Sequence, residues 1–291
     1  MLRLLSKASD YMHRKHVGNL ALVLGSRQAV VKYQTLPEPH ERAFARELDI
    51  NGADKQSAAW SAEERKLLEG VPCYVALPDY EFCYRILPSA KLPEKKSSAM
   101  QFIKWRLEQD LGELQHDCEV AIGQPDSDAR SALMLKSNRY QEVSNLVRSA
   151  SAQPKMLLPL GFYILSELQR SPESLSSLLS NRVLIFLWDD FWSFLSVNAN
   201  GAITHYRSCR WSAKLTRAEE INELAAEFGF SIRAASGVAL LAGLGALCEL
   251  YQKEAELERY SVSMIERFVF GENEQLQQRN EILDVILRYE T

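Results

Sequence analysis

The sequence predicts an α/β protein of two lobes, each a mixed sheet flanked by helices. Two observations predict it. A strand pair or meander followed by helix occurs once before the serine-rich stretch SPESLSSLLS (171–180) and once after it. A chain of 291 residues, 46% hydrophobic and 25% charged, can also bury one large core or two smaller ones. No literal sequence repeat accompanies the repeated order, so the two-lobe expectation rests on the elements alone.

Residues 1–16 read as a short basic amphipathic helix. Leu2, Leu5 and Met12 share a face, and Arg3, Lys7, Arg14 and Lys15 supply positive charge. Such a helix either lies on an anionic membrane surface or is an ordinary terminal helix. A hairpin follows: Leu20 to Leu24, the turn Gly25-Ser26-Arg27, then Ala29 to Tyr33. Residues 37–70 are charged and turn-rich, with an exposed helix at Glu63-Glu64-Arg65-Lys66. Cys73 to Leu77 and Phe82 to Leu87 read as a second strand pair joined through Pro78-Asp79.

A helix over 98–114 is predicted by Ala99, Phe102, Ile103, Leu107, Leu111 and Leu114, which recur at steps of mainly three and four residues. Ser97 or Ser98 is its expected N-cap. Strands at Glu119–Ile122 and Ala132–Leu135, a helix at Tyr140–Ala150, a short strand at Met156–Leu158 and a helix at Phe162–Arg170 complete the first half. Val183–Leu187, Trp192–Val197 and Ala202–Ser208 then form a meander, turning at Asn198-Ala199-Asn200-Gly201. An amphipathic helix runs from Leu215 to Phe228 and closes at Gly229. A short strand at Ser231–Arg233 and a very apolar helix from Val238 to Tyr251 come next. From Val262, residues Leu276, Ile282, Leu283, Ile286 and Leu287 read as a helical tail that docks on the body. The expected domains are therefore the basic helix 1–16, a first lobe 17–175 with a subdomain inserted around 71–135, a second lobe 176–260, and the helical tail 261–291.

Several function classes are disfavoured. A net charge of -4 gives no basic surplus for nucleic acid. No apolar run approaches the ~20 residues of a membrane-spanning helix, and the N-terminus lacks the long apolar middle of a secretory signal. A cytoplasmic protein is expected. The five cysteines are scattered with no C-x-x-C, which reads as reduced, packed thiols and no metal. Five histidines fall in no catalytic motif. Asp189 and Asp190 form a carboxylate pair among Phe186, Trp188, Phe191, Trp192 and Phe194. The pair reads as a tight turn, the alternative being a cation site; the rings read as core or as a peptide-gripping groove.

Four stretches carry a resemblance: LALVLGSRQAVVKY (20–33), VALPDYEFCYRILPSAKLPEKKSSAMQFIKWRLEQDL (75–111), YQEVSNLVRSASAQPKMLLPLGFYILSEL (140–168) and RVLIFLWDDFWSFLSVNANGAITHYRS (182–208). In serial order they resemble the PilM family of type IV pilus assembly proteins, with the related MshI and the cytoplasmic domain of GspL from type II secretion. The resemblance implies an actin-like (ribonuclease-H-like) fold whose hairpins at Gly25 and Asp189 stand where two phosphate loops would be.

The departures matter. Members of this fold that bind ATP carry an acidic residue two positions before the first-loop glycine; here that position is Val23. Mg²⁺ needs hard oxygen ligands, which valine lacks. The second loop places Trp188 and Asp189 where a glycine should admit phosphate. Gly243-Leu244-Gly245, in place of the adenine contact, reads as buried within the apolar helix. Gly25, Ser26, Arg27 and Asp189 thus mark at most a vestigial cofactor site, and ATP with Mg²⁺ is disfavoured. The resemblance implies instead a non-catalytic scaffold beside the inner membrane. It would bind a cytoplasmic segment of a PilN-like partner and link it to a hexameric assembly ATPase. Phe102, Trp105, Arg106 and Gln109 on the 98–114 helix are the candidate partner-binding residues. A kinase-like enzyme with a divergent nucleotide site and a membrane-surface adaptor using residues 1–16 are the rival readings.

Overall fold

The structure is a computed structural model that describes residues 18–24, 28–35, 44–49, 60–88, 95–111, 117–122, 129–170, 183–188, 190–197, 203–211, 217–227, 239–257, 262–270 and 282–288. The first lobe opens with β1 (Gly18–Leu24), β2 (Gln28–Thr35) and β3 (Phe44–Asp49), an antiparallel meander. Helix α1 (Ala62–Leu67) follows, started by a capping box in which the Glu64 N–H donates to Ser61 Oγ and the Ser61 N–H donates to the Glu64 carboxylate. Strand β4 (Pro72–Leu77) then pairs parallel to β1, and β8 (Gln153–Pro159) pairs parallel to β4. The sheet order is β3-β2-β1-β4-β8.

Between β4 and β8 the chain builds a separate sheet. Its strands are β5 (Phe82–Pro88), β6 (Cys118–Ile122) and β7 (Ala129–Lys136), in the order β5-β7-β6. Helix α2 (Lys96–Leu111) covers one face, where Ile103 and Leu107 bury against Ala132 and Met134. The alternate residues Phe82, Tyr84, Leu133 and Leu135 enter the main core from the other face. Helix α3 (Ser137–Ser149) leads to β8, and α4 (Leu160–Gln169) closes the lobe.

The second lobe repeats the strand order. Strands β9 (Val183–Leu187), β10 (Phe191–Val197) and β11 (Ile203–Arg210) form an antiparallel meander. After α5 (Arg217–Glu227), β12 (Ala239–Leu244) pairs parallel to β9. Helix α6 (Gly245–Leu257) crosses to β13 (Val262–Phe270), which pairs parallel to β12. The order β11-β10-β9-β12-β13 matches the first sheet position for position. Both faces of β9 are covered: Val183, Ile185 and Leu187 pack with α5 and α6, while Leu184, Phe186 and Trp188 join the core shared with the first lobe. This explains its unbroken apolar run, VLIFL. A final helix α7, over 282–287, buries Ile282, Leu283, Val285, Ile286 and Leu287 in that same shared core. The Asp284 carboxylate pairs with Lys32 of β2.

Five expectations are corrected. The insertion begins after β4, at Phe82, and not near residue 71, because the fully apolar strand Cys73–Leu77 is needed between β1 and β8. For the same reason Cys73–Leu77 and Phe82–Leu87 are not a pair; they lie in different sheets. The segment expected as one apolar helix from Val238 divides into β12 and α6, with Gly243 at φ +124° near the junction. The tail is not helical from 261, because β13 completes the second sheet and only 282–287 form the docked helix. Strand β3, hidden in a charged region, is an addition. Ser97 and Ser98 lie inside the first turn of α2, after Lys96, and not at its cap. Residues 1–17 and 228–238 lie outside the described residues, and with them the membrane-surface candidates Arg3, Lys7, Arg14 and Lys15 and the strand expected at Ser231–Arg233.

Candidate functional site

The vestigial site residues Gly25, Ser26, Arg27 and Asp189 lie outside the described residues. Their neighbours define the seam between the lobes. Val23 is buried on β1 between Val30 and Ala76, and no acidic side chain stands at that register. Trp188 is 8% exposed, stacked on Phe186 at 5.6 Å with 20° between the rings. Its carbonyl accepts a hydrogen bond from Trp211 Nε1 at 2.8 Å, and its N–H donates to the Phe191 carbonyl at 2.9 Å, closing the β9–β10 hairpin.

The first lobe reaches this hairpin with the 3-10 turn Asp79–Glu81, which follows β4 directly. The Tyr80 hydroxyl donates to Asp190 at 3.2 Å and accepts from Arg210 Nη2 at 3.1 Å, while the Arg210 guanidinium lies 4.3 Å from the Tyr80 ring centre. The same ring meets Phe191 edge-on at 5.7 Å. Arg139 of α3 fixes the end of the turn through two hydrogen bonds to Glu81, at 2.7 and 3.2 Å.

Asp79 is completely buried. Its Oδ1 accepts the Gly161 N–H at 2.9 Å, supplying from a distance the cap that Pro159 cannot give α4. Its Oδ2 lies 2.7 Å from Ser193 Oγ on β10, so one carboxyl ties the two lobes together. Burial pushes this carboxyl up to about 6, against the pull of the surrounding N–H and O–H donors. Tyr206 is buried beside it and within its electrostatic reach, yet its hydroxyl has no hydrogen-bond partner of acceptable geometry. Desolvation pushes that phenol far up. An aromatic triad completes the seam. Tyr84, Phe162 and Tyr206 meet edge-to-face with centroids 5.0 to 6.0 Å apart, joining the inserted sheet, α4 and β11.

A third segment approaches from β12. A Cβ on Gly243 would stand 2.0 Å from the Leu187 carbonyl oxygen, so only glycine lets this strand end lie against the β9 end. Adenosine-phosphate recognition needs open backbone at these strand ends. Among the described residues the ends are occupied by Trp188, Tyr80 and the Asp79 carboxyl.

The candidate partner residues sit elsewhere. Trp105 is 50% exposed on α2, its ring 5.7 Å from the half-buried Phe102, and Arg106 and Gln109 are exposed on the same helix. Asp79, Ser193 and Tyr206 were not singled out from the sequence as site residues. The Pro-Asp step after an apolar strand was visible, but its target on a strand over 100 residues away was not.

Two five-stranded sheets of equal strand order, with a sheet inserted in the first, define the actin-like ATPase fold. This is the fold expected from the four sequence stretches. The chain is similar to the PilM–PilN type IV pilus biogenesis complex, at a TM-score of 0.65 and 15% identity, over 95% of this chain and 99% of that one. It is also similar to a Bacteroides thetaiotaomicron protein of actin-like ATPase fold and unknown function, at a TM-score of 0.58 and 10% identity, over 92% and 96% of the two chains. A third likeness is to the cytoplasmic domain of EpsL, an inner-membrane component of the type II secretion system of Vibrio cholerae. There the TM-score is 0.53 and the identity 10%, over 92% of this chain and 94% of that chain. No family model and no curated protein sequence matches the chain.

Proposed function

We propose that the chain is a non-catalytic scaffold of a type IV pilus (MSHA-like) or type II secretion assembly machine, cytoplasmic and peripheral to the inner membrane. In this reading it grips a cytoplasmic segment of a PilN-like inner-membrane protein and links it to a hexameric assembly ATPase. The observation that carries the non-catalytic part is the filled seam: Trp188 and the Tyr80–Asp190–Arg210 cluster occupy the ends where a nucleotide would need backbone access. The likeness of fold to PilM and to the EpsL domain supports the choice of machine. For the partner, the inserted sheet offers edge strands β5 and β6 for backbone pairing, with Trp105 and Phe102 on the adjoining α2 as an apolar anchor.

Two measurements test this reading. A thermal melt with millimolar Mg-ATP is expected to leave the midpoint unchanged, since a ligand bound only by the folded state would raise it by RT ln(1 + [L]/Kd). A clear rise would instead favour the divergent nucleotide-binding reading. Affinity purification from a strain expressing the pilus or secretion genes is expected to recover an inner-membrane assembly protein, and to lose it on Trp105→Ala. Recovery of none would count heavily against the scaffold.

A further inference from the structure

The hydrogen bonds around Asp79 have a proton balance. Asp79 Oδ2 lies 2.7 Å from Ser193 Oγ, Ser193 Oγ lies 3.1 Å from Ser208 Oγ, and Ser208 Oγ lies 3.0 Å from the Trp192 carbonyl oxygen. The row has three links. Its far end is a carbonyl, which only accepts, and each serine hydroxyl supplies one proton. With an ionised carboxylate there are two protons for three links, and one oxygen pair is left facing without a hydrogen. A protonated Asp79 supplies the third. Asp79 then donates to Ser193, Ser193 to Ser208, and Ser208 to the Trp192 carbonyl, while Oδ1 goes on accepting the Gly161 N–H. The direction is unique because the row ends on a carbonyl.

We propose that Asp79 is protonated in the closed molecule and that this proton is a latch between the lobes, released as the pH rises. The groups facing the carboxyl are the Gly161 and Leu160 N–H of α4, Ser193 of β10 and Tyr206 of β11, none of them a cation. The charges around its turn are engaged elsewhere: Arg139 holds Glu81, and Arg210 and Asp190 hold Tyr80. Burial pushing the acid up to about 6 agrees with the count. Because the folded-state value lies above the unfolded value of about 3.9, the latch's contribution is complete below about pH 4 and is lost as pH rises through about 6. His205, also on β11, has its pKa lowered by burial and bonds Ser196 Oγ at 2.9 Å; its contribution runs the other way, and it serves as the control.

The test is denaturant unfolding with amide hydrogen exchange at about pH 5 and about pH 7.5, the two sides of the titration. Wild type is compared with Asp79→Asn and His205→Gln. Wild type is expected to lose about tenfold in its folding equilibrium constant, because pH 5 lies about one unit below the folded-state value of about 6, with faster exchange in β10 and the 79–81 turn at the higher pH. Asp79→Asn, whose amide donates to Ser193 and accepts from Gly161 at any pH, is expected to abolish that loss; His205→Gln is expected to keep it. A full pH slope in Asp79→Asn, or a flat wild type once His205 is removed, overturns the latch. Should Asp79→Asn fail to fold, carbon-13 NMR of wild-type aspartate carboxyls decides: a buried carboxyl titrating near about 6 supports the latch, and none titrating above about 5 sinks it. The latch does not depend on the scaffold reading.

Discussion

The two lobes share a strand order but end their fourth strands in opposite ways. At the end of β4 the chain continues as Leu77-Pro78-Asp79-Tyr80, and both Asp79 and Tyr80 reach across to the other lobe. At the end of β12 the corresponding step is Gly243-Leu244-Gly245, which offers no side chain at its closest approach. One end projects polar groups and the other gives way to backbone. Topology therefore sets where the lobes can meet, while two or three residues at each strand end decide whether the meeting place stays open or is filled. In the first lobe the crossover to the fifth strand also carries a whole sheet, whereas in the second it is the single helix α6.

The sharpest way to break the comparison is Gly243→Ala. The added Cβ would lie 2.0 Å from the Leu187 carbonyl oxygen at a backbone φ of +124°, so strain and overlap add. A loss of about 3 kcal/mol or more is expected in denaturant unfolding. Gly161→Ala attacks the other strand end, because its Cβ would stand 2.5 Å from Asp79 Oδ2. Here the turn has some room to shift, and the expected loss is about 2 kcal/mol. Tyr206→Phe removes a buried hydroxyl that makes no hydrogen bond while keeping the aromatic triad. It is expected to be neutral or to stabilise by about 1 kcal/mol; a loss larger than that would show that the hydroxyl is bonded to Asp79 after all. Trp105→Ala should barely move the unfolding midpoint, by less than about 1 kcal/mol at a half-exposed position. Under the proposed function it weakens partner capture about tenfold or more, read by titration against the recovered partner.

Local pattern was enough for several elements. The hairpin of β1 and β2, the amphipathic α3, the apolar VLIFL strand and the meander after it all follow from periodicity and turn residues within short windows. Where the reading failed, the missing information was nonlocal. An apolar run of a dozen residues from Val238 is compatible with a helix, and it becomes strand plus helix because β9 offers a parallel edge on one side and β13 on the other. The segment FARELD shows little strand character by itself and becomes β3 because β2 has an edge to pair.

What the sequence determined alone was the class of the fold, through the serial order of strands and helices, and the residue types at single positions such as Val23 and Trp188. Those are properties of residue type at a register, and a register is local. What only the tertiary structure decided was the seam. Asp79 meets Ser193 across 114 positions of chain, and Tyr80 meets Asp190 across 110. Nothing in either neighbourhood specifies the other. Burial turned an ordinary aspartate after a proline into a proton-holding link, because desolvation acts on a carboxyl only once the fold has enclosed it.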